Sequence, residues 1–325
     1  MSLRALSIPD ATAPDAGPGP TADLYLRWSC ADRIARGDLV ALGPTLFRAG
    51  GTLIVLRHVS GMRALPPHDR VILVADDDWH GGLWDRTLPL AYRMKLALTE
   101  CRDASRVEAR ADTVLVSSDR LARLYAARLP GRRIVRIDPA WTPPQSAPDG
   151  IRADIAWLGS PAHAGDLRLA IETIELCRQA RPGLRVIVAG GARVPRHWRR
   201  DPRILRLPDM PWPRWLAFLR RARIGIVLYP LAPGAFNAAR SVNKLLEADQ
   251  VGAVLLASDC WAAGHAAARG GYCKLLGDSP RDWAAAVLGL IDDPETRQRI
   301  AARTRAHIAA RRGLATQAAL WEGLL

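Results

Sequence analysis

The stretch PGAFNAARSVNKLLEADQVGAVLLASD, residues 233–259, decides the fold. It opens as a loop, and a helical pattern then runs over 240–251 and stops at Gly252. AVLLAS (253–258) follows as a continuous apolar run, the mark of a strand buried on both faces. Just upstream, IGIVLYP (224–230) has the same character. Strand, helix and strand at this spacing make one unit of a parallel sheet.

Working outward, the same alternation fills the second half of the chain. Strands are predicted at 154–158, 185–191, 203–207 and 272–276. Helices are predicted over 166–180, 212–222, 260–269, 280–291, 295–311 and 314–323. In the helix over 166–180, Leu167, Ala170, Ile171, Ile174 and Cys177 recur at steps of three and four. The first half alternates less cleanly. Its predicted strands are 23–28, 39–42, 52–57, 70–75, 113–117 and 133–137, with helices over 29–36, 87–101, 103–110 and 118–128. The proline-rich segment DPAWTPPQSAPDG (138–150) separates the halves. The expectation is a leader at 1–20, an N-terminal lobe at 21–140, a linker at 141–152 and a C-terminal lobe at 153–325. The last helix is expected to pack back on the first lobe. Both lobes would be Rossmann-like and doubly wound, with ligands held at the strands' carboxyl ends beside an interdomain cleft.

Composition narrows the function classes. A chain of 325 residues with 49% hydrophobic and 24% charged residues is long enough for two ordinary globular lobes. It has no apolar run of the roughly 18 residues that a spanning helix needs. Pro9, Asp10, Pro14 and Asp15 interrupt what would be the core of a signal peptide, so a cytoplasmic location is expected. The five cysteines show no metal-ligand spacing. The net charge is +14, but only three of the 46 basic residues are lysine, the mark of a GC-rich genome. A positive surface still favours phosphates, nucleotides or acidic lipid. No aromatic–basic motif points to nucleic acid. Gly190-Gly191 lacks the full dinucleotide fingerprint.

Asn237, Arg240, Ser241, Lys244 and Glu247 gather at the loop and first turns of the 240–251 helix. A helix N-terminus with added cations suits a diphosphate, and a carboxylate one turn on can take both hydroxyls of a ribose. The same residues also read as a helix cap with a surface Lys–Glu pair. Asp76-Asp77-Asp78 and His80 follow the strand at 70–75. They could face an acceptor and supply a base, or cap the loop. Alternatively, Asp76 and Asp78 could bind a divalent cation, which would move the donor site to the N-terminal lobe. Trp212 and Trp215, beside Arg214, Arg220, Arg221 and Arg223, suit a membrane surface or plain helix-on-sheet packing.

The pattern Phe236, Asn237, Ala239, Arg240, Ser241, Lys244, Glu247, Gly252 and Ala257-Ser258-Asp259 resembles the donor-binding segment of GT-B glycosyltransferases. The likeness is strongest to the group-1-like bacterial envelope enzymes. ADIAWLGSPAHAGDL (153–167) is similar to that family's first C-lobe strand and glycine turn, and VIVAGG to its second. VILVADDDWHGG (71–82) resembles an aspartate-rich loop found in a subset of these enzymes, and TVLVSSDRLA (113–122) the step that follows.

The resemblance implies a nucleotide-sugar donor held by Gly159, Ser160, His163, Gly190, Asn237, Arg240, Ser241, Lys244 and Glu247. It implies catalytic roles for Asp78 and His80, with no metal and no cofactor, since the nucleotide-sugar is itself a substrate. The acceptor would be an envelope glycan, a lipid-linked sugar or a small molecule, met at the inner face of the membrane. Two departures stand out. Ala239 replaces the first of two glutamates common in retaining members, and Ser160 and Gly165 stand where an Arg and a Lys commonly hold the diphosphate. These leave open a non-catalytic nucleotide-sugar-binding protein, or an epimerase, on the same fold.

Overall fold

The computed structural model describes residues 19–59, 62, 64–142, 150–159, 165–191 and 193–325. Most of the expected leader, the centre of the expected linker, Ser160 and His163 lie outside the described residues.

The N-terminal lobe starts with α1 (Pro20–Ala22), which runs on into a π-wound turn over Asp23–Arg27, and then α2 (Ala31–Arg36). The strand expected at 23–28 is therefore helical. A short apolar run cannot separate a buried helix from a strand by period alone, and here tertiary partners decide. The Leu24 carbonyl accepts from the Ala140 N–H (2.8 Å) and the Gln317 amide (2.9 Å), and the Tyr25 carbonyl from the Trp321 indole (2.8 Å). The π winding leaves those carbonyls available.

The first sheet consists of β1 (Val40–Ala41), β2 (Leu46–Ala49), β3 (Thr52–Leu56), β4 (Arg70–Ala75), β5 (Thr113–Val116) and β6 (Arg133–Arg136), paired in sequence order. The β1–β2 and β2–β3 pairs are antiparallel and the rest parallel. β2 is a strand beyond those expected, although Gly50-Gly51 between two apolar runs is a hairpin signal, and Gly50 takes the left-handed φ of +55°. The helices α3 (Trp79–Trp84), α4 (Leu90–Leu98), α5 (Ala104–Arg110) and α6 (Asp119–Arg128) lie in the parallel crossovers. The helix expected over 87–101 starts later, because Pro89 stands at its N-cap. Parallel crossovers that always step the same way are all right-handed, so these helices share one face of the sheet.

The second sheet consists of β7 (Ile151–Trp157), β8 (Val186–Val188), β9 (Ile204–Arg206), β10 (Ala222–Tyr229), β11 (Val254–Ser258) and β12 (Cys273–Leu276). It is wholly parallel, in the order β12-β11-β10-β7-β8-β9. The step direction reverses between β7 and β10, so its helices fall on both faces. α7 (Leu167–Ala180) and α12 (Pro280–Asp292) pack together on one face. α8 (Trp212–Arg221), α10 (Asn243–Gln250) and α11 (Ala262–Arg269) cover the other, with the one-turn α9 (Ala235–Ala238) leading into α10. α13 (Pro294–Arg311) follows α12. α14 (Leu314–Glu322) then crosses to the first lobe, where with α1 and the π turn it covers the face that α3–α6 leave open. One apolar cluster runs through both lobes, from Ile54 and Ile72 to Ile187, Leu245 and Trp321. The fold is α/β with two Rossmann-like lobes. The cleft lies at the carboxyl ends of the neighbouring strands β7 and β10, where the step direction reverses, the position at which such sheets bind ligands.

Candidate active site

A cavity of about 350 Å³ lies between the lobes, large enough for a small ligand. Its C-lobe wall is built at strand ends. β7 runs into Leu158 and Gly159, and a Cβ at Gly159 would stand 2.1 Å from the Trp157 ring, so any other residue at this turn would displace that buried ring. Gly190, at φ +80°, follows β8 and lines the cavity. Arg240, Ser241, Asn243, Lys244 and Glu247 line it from the start of α10. The Lys244 ammonium donates to the Leu158 carbonyl (2.7 Å), pairs with Glu247, and sits 5.6 Å from the centre of the Tyr229 ring. The Asn243 side-chain oxygen is buried without a hydrogen-bond partner among the described residues. A helix N-terminus flanked by two cations is an anion site, because its first N–H groups have no intrahelical acceptor.

Asn237 does not line this wall. It is 1% exposed and braces the loop: its amide donates to the Ala232 carbonyl (2.9 Å), and its oxygen accepts from Arg240 Nε (3.2 Å). Six of the nine residues expected to hold the donor (Gly159, Gly190, Arg240, Ser241, Lys244 and Glu247) thus share one wall.

The opposite wall comes from the first lobe. Asp76 and Asp77 follow β4 directly and line the cavity, as does Arg57, the residue after β3. Arg57 has a φ of 69°, in the left-handed region that non-glycine residues rarely adopt. Its guanidinium bridges Asp76 (2.8 Å), Asp77 (3.0 Å) and Glu100 (3.1 Å). Burial opposes the Arg57 charge, but the three carboxylates outweigh it and hold its pKa well above the ordinary value. Burial lifts the Asp76 carboxyl above the ordinary carboxylate range, Arg57 opposes that rise and Asp77 adds to it. Thr21 Oγ1 also donates to Asp76 (2.6 Å). Arg57 is a site residue that the sequence reading misses, although its position just past the apolar run of β3 marks a strand end.

Asp78 and His80 are placed off the cavity. Asp78 is the N-cap of α3 and accepts from the Gly81 N–H (2.9 Å). His80 turns along the helix to Glu108 (2.7 Å), which also pairs with Arg128. The reason is the start of α3: only the two residues before its cap remain at the strand end, facing the cleft. Asp76 and Asp78 therefore serve different partners. Among the described residues, no group of three or more His, Cys, Asp or Glu side chains could hold a metal ion.

The cavity floor carries Pro208, Asp209, Met210, Trp212 and Trp215. Trp212 stacks on Trp28 (6.3 Å between centroids), meets Trp141 edge-on (5.9 Å), and donates its indole N–H to Asp23 (2.8 Å). The Trp–Arg cluster that suits a membrane surface by composition thus spends its tryptophans on the interlobe core and the cavity. No described helix is long and apolar enough to cross a membrane.

No protein-family model matches the sequence, and no curated protein matches it. Solved structures do match. A point mutant of TarM from S. aureus, in complex with fondaparinux, alpha-GlcNAc-glycerol and UDP, aligns at TM-score 0.54 and 14% identity over 78% of this chain and 50% of its own. HepE from Anabaena, in complex with UDP and glucose, aligns at 0.54 and 14% identity over 78% and 71%. WaaG, a glycosyltransferase involved in lipopolysaccharide biosynthesis, aligns at 0.52 and 15% identity over 78% and 76%. The chain spans about half the length of TarM. At such identities the likeness is one of architecture, and it agrees with the resemblance carried by residues 233–259: this chain has a two-lobed GT-B fold.

Proposed function

We propose that the chain is a glycosyltransferase that moves a sugar from a nucleotide-sugar, without a metal, to an envelope glycan, a lipid-linked sugar or a small molecule. One observation carries the reading: a single cavity has an anion-binding wall, built by α10, Arg240 and Lys244, facing a carboxylate wall of Asp76 and Asp77. The first wall suits the donor diphosphate and its growing charge as it leaves. Glu247 suits the ribose hydroxyls. On the second wall Asp76 is committed to Thr21 and Arg57, whereas the Asp77 carboxylate is held by Arg57 and keeps acceptor capacity toward the cavity. Asp77 therefore takes the role first expected of Asp78 and His80: it accepts the acceptor hydroxyl's proton as that oxygen bonds to the anomeric carbon. The carbon–phosphate oxygen bond breaks in the same step, and its electron pair leaves with the nucleoside diphosphate. The structural neighbours named for UDP complexes and for lipopolysaccharide biosynthesis support donor and acceptor classes of this kind.

A lipid-linked acceptor draws support from the surface beside this wall. Leu90, Met94 and Leu98 recur every fourth residue on α4 and are 66%, 56% and 63% exposed, and Trp84 at the end of α3 is 81% exposed. Arg86 and Lys95 are exposed among them, while Asp85, the one carboxylate between Trp79 and Thr99, is buried. Apolar side chains interspersed with cations and free of exposed acid suit an anionic lipid surface. We place the protein in the cytoplasm, touching the inner face of the membrane there.

The test is a thermal-shift panel of nucleotide-sugars followed by an assay for free nucleoside diphosphate with candidate acceptors. A donor at a hundred times its dissociation constant adds about 2.7 kcal/mol of stability. Stabilisation with no diphosphate release under any acceptor would favour the non-catalytic binding protein. No stabilisation by any nucleotide-sugar would refute the donor site.

A further inference from the structure

The loop that carries Arg240 belongs to the C-terminal lobe by sequence but is packed into the N-terminal one. Phe236 and Ala239 are both 0% exposed and join the apolar cluster of β3, β4, α3 and α4. The Phe236 ring meets Tyr92 edge-on at 6.0 Å. A Cβ at Gly82 would stand 2.8 Å from that ring, so α3 approaches this closely only because residue 82 is glycine. Two polar contacts fasten the segment. The Phe236 N–H donates to Asp85 Oδ2 (3.0 Å), and Ser118 Oγ donates to the Ala239 carbonyl (2.6 Å). Asp85 is in turn held by the Thr87 N–H (3.0 Å) and Thr87 Oγ1 (2.6 Å). Burial works against the Asp85 charge, but these hydrogen bonds and Arg93 outweigh it and keep its carboxyl below the ordinary range, ionised at neutral pH.

The fastening reaches the cavity through one further contact. The Arg240 guanidinium lies 4.8 Å from the centre of the Phe236 ring, and Arg240 lines the anion-binding wall. Its place is therefore set by Phe236 together with Asn237 of the same loop, and the place of Phe236 by the other lobe. We infer that Asp85, which does not line the cavity, is a positioning residue for donor binding: through it the acceptor lobe holds the donor loop in the shape that presents Arg240 to the diphosphate. The inference rests on the donor reading of that wall. It also ties the two substrates together. α3 runs from beside Asp77 to Asp85, so an acceptor that shifts the head of α3 acts on the donor loop at its tail, and the coupling is reciprocal.

The experiment uses the full chain and two readouts: amide hydrogen exchange over 234–240, and UDP binding by calorimetry. In Asp85→Ala, exchange at the Phe236 amide should quicken at least tenfold and UDP should bind about tenfold more weakly, the scale of a lost hydrogen bond to a charged acceptor. Asp85→Asn can offer its one oxygen to the Phe236 N–H only by turning its NH2 on the Thr87 N–H, so it should recover only part of both. If Asp85→Ala does not fold, Gly234→Ala strains the same joint from the other side, since its Cβ would stand 2.4 Å from Asp85 Oδ2, and it should give the same two losses. A folded variant with unchanged exchange over 234–240 overturns the fastening. Faster exchange with unchanged UDP affinity overturns the positioning role. If the unaltered chain takes up no UDP at millimolar concentration, the UDP-donor reading fails and the positioning role with it, while exchange still decides the fastening.

Discussion

Replacing Arg57 by alanine should be among the most damaging single changes in the N-terminal lobe. The Arg57 side chain is 17% exposed, and the carboxylate side chains it serves are drier still: 9% for Asp76, 16% for Asp77 and 6% for Glu100. Solvent screening therefore takes little from the interaction. Removing one partner of a buried ion pair costs about 3–5 kcal/mol, because the stranded charge keeps its desolvation penalty. That is a large share of a typical folding stability of about 5–15 kcal/mol. The pH dependence follows in sign. Burial and the Asp77 charge already lift the Asp76 carboxyl above its ordinary range, and losing Arg57 removes what opposes that rise. The Asp76 share of the penalty is then fully present above its raised pKa and fades as the pH falls through it and the group protonates. Asp76, displaced upward even with Arg57 in place, is the group that carries this recovery. Urea titrations at pH 7.5 and pH 5 should thus show a loss of about 3–5 kcal/mol at the higher pH and a smaller loss at the lower. Arg57→Gly should fare better than Arg57→Ala by about 1 kcal/mol, since φ at this position is left-handed. A loss under about 1 kcal/mol at pH 7.5, or one that grows on acidification, would refute the assignment of a buried ion network.

Other outcomes follow from the cavity. Glu247→Ala should weaken UDP binding by about 1–3 kcal/mol, and calorimetry showing unchanged affinity would remove Glu247 from the ribose. On the proposed donor site, where Arg240, Lys244 and the α10 N-terminus would meet the diphosphate, turnover should persist in EDTA; loss on chelation with restoration by Mn²⁺ or Mg²⁺ would end the metal-free reading. Asp77→Asn should lower turnover while leaving UDP affinity within about 0.5 kcal/mol, the usual effect of a change away from the bound group. Met94→Glu with Leu98→Glu should reduce co-sedimentation with anionic vesicles and leave hydrolysis of a soluble nucleotide-sugar unaltered; equal pelleting would detach the α4 surface from lipid.

The C-terminal lobe is largely legible in the amino-acid sequence alone. Its strands are buried on both faces, so each reads as an unbroken apolar run, and its helices carry their own period. The segment that builds the C-lobe wall of the cavity is legible too, because a loop, a helix start and a carboxylate one turn on lie within a dozen consecutive residues, from Asn237 to Glu247. The N-terminal lobe is harder. Residues 23–26 are buried among distant partners, including Trp212, Gln317 and Trp321, and nothing local distinguishes that setting from a strand. Asp76, Asp77 and Asp78 look alike in a row, and only the onset of α3 at Trp79 divides the two that face the cavity from the one that caps a helix. Arg57 becomes a site residue only when β3 lies beside β4 and brings it to Asp76. Asp85 and Phe236, 151 positions apart, meet only because the lobes close on each other. Local sequence determined the elements and the chemistry that fits within one turn of a helix, because short-range sterics and hydrophobic period set those. Which side chains from separate strands converge on one cavity was decided by tertiary packing, since that depends on sheet order and on the seating of one lobe against the other.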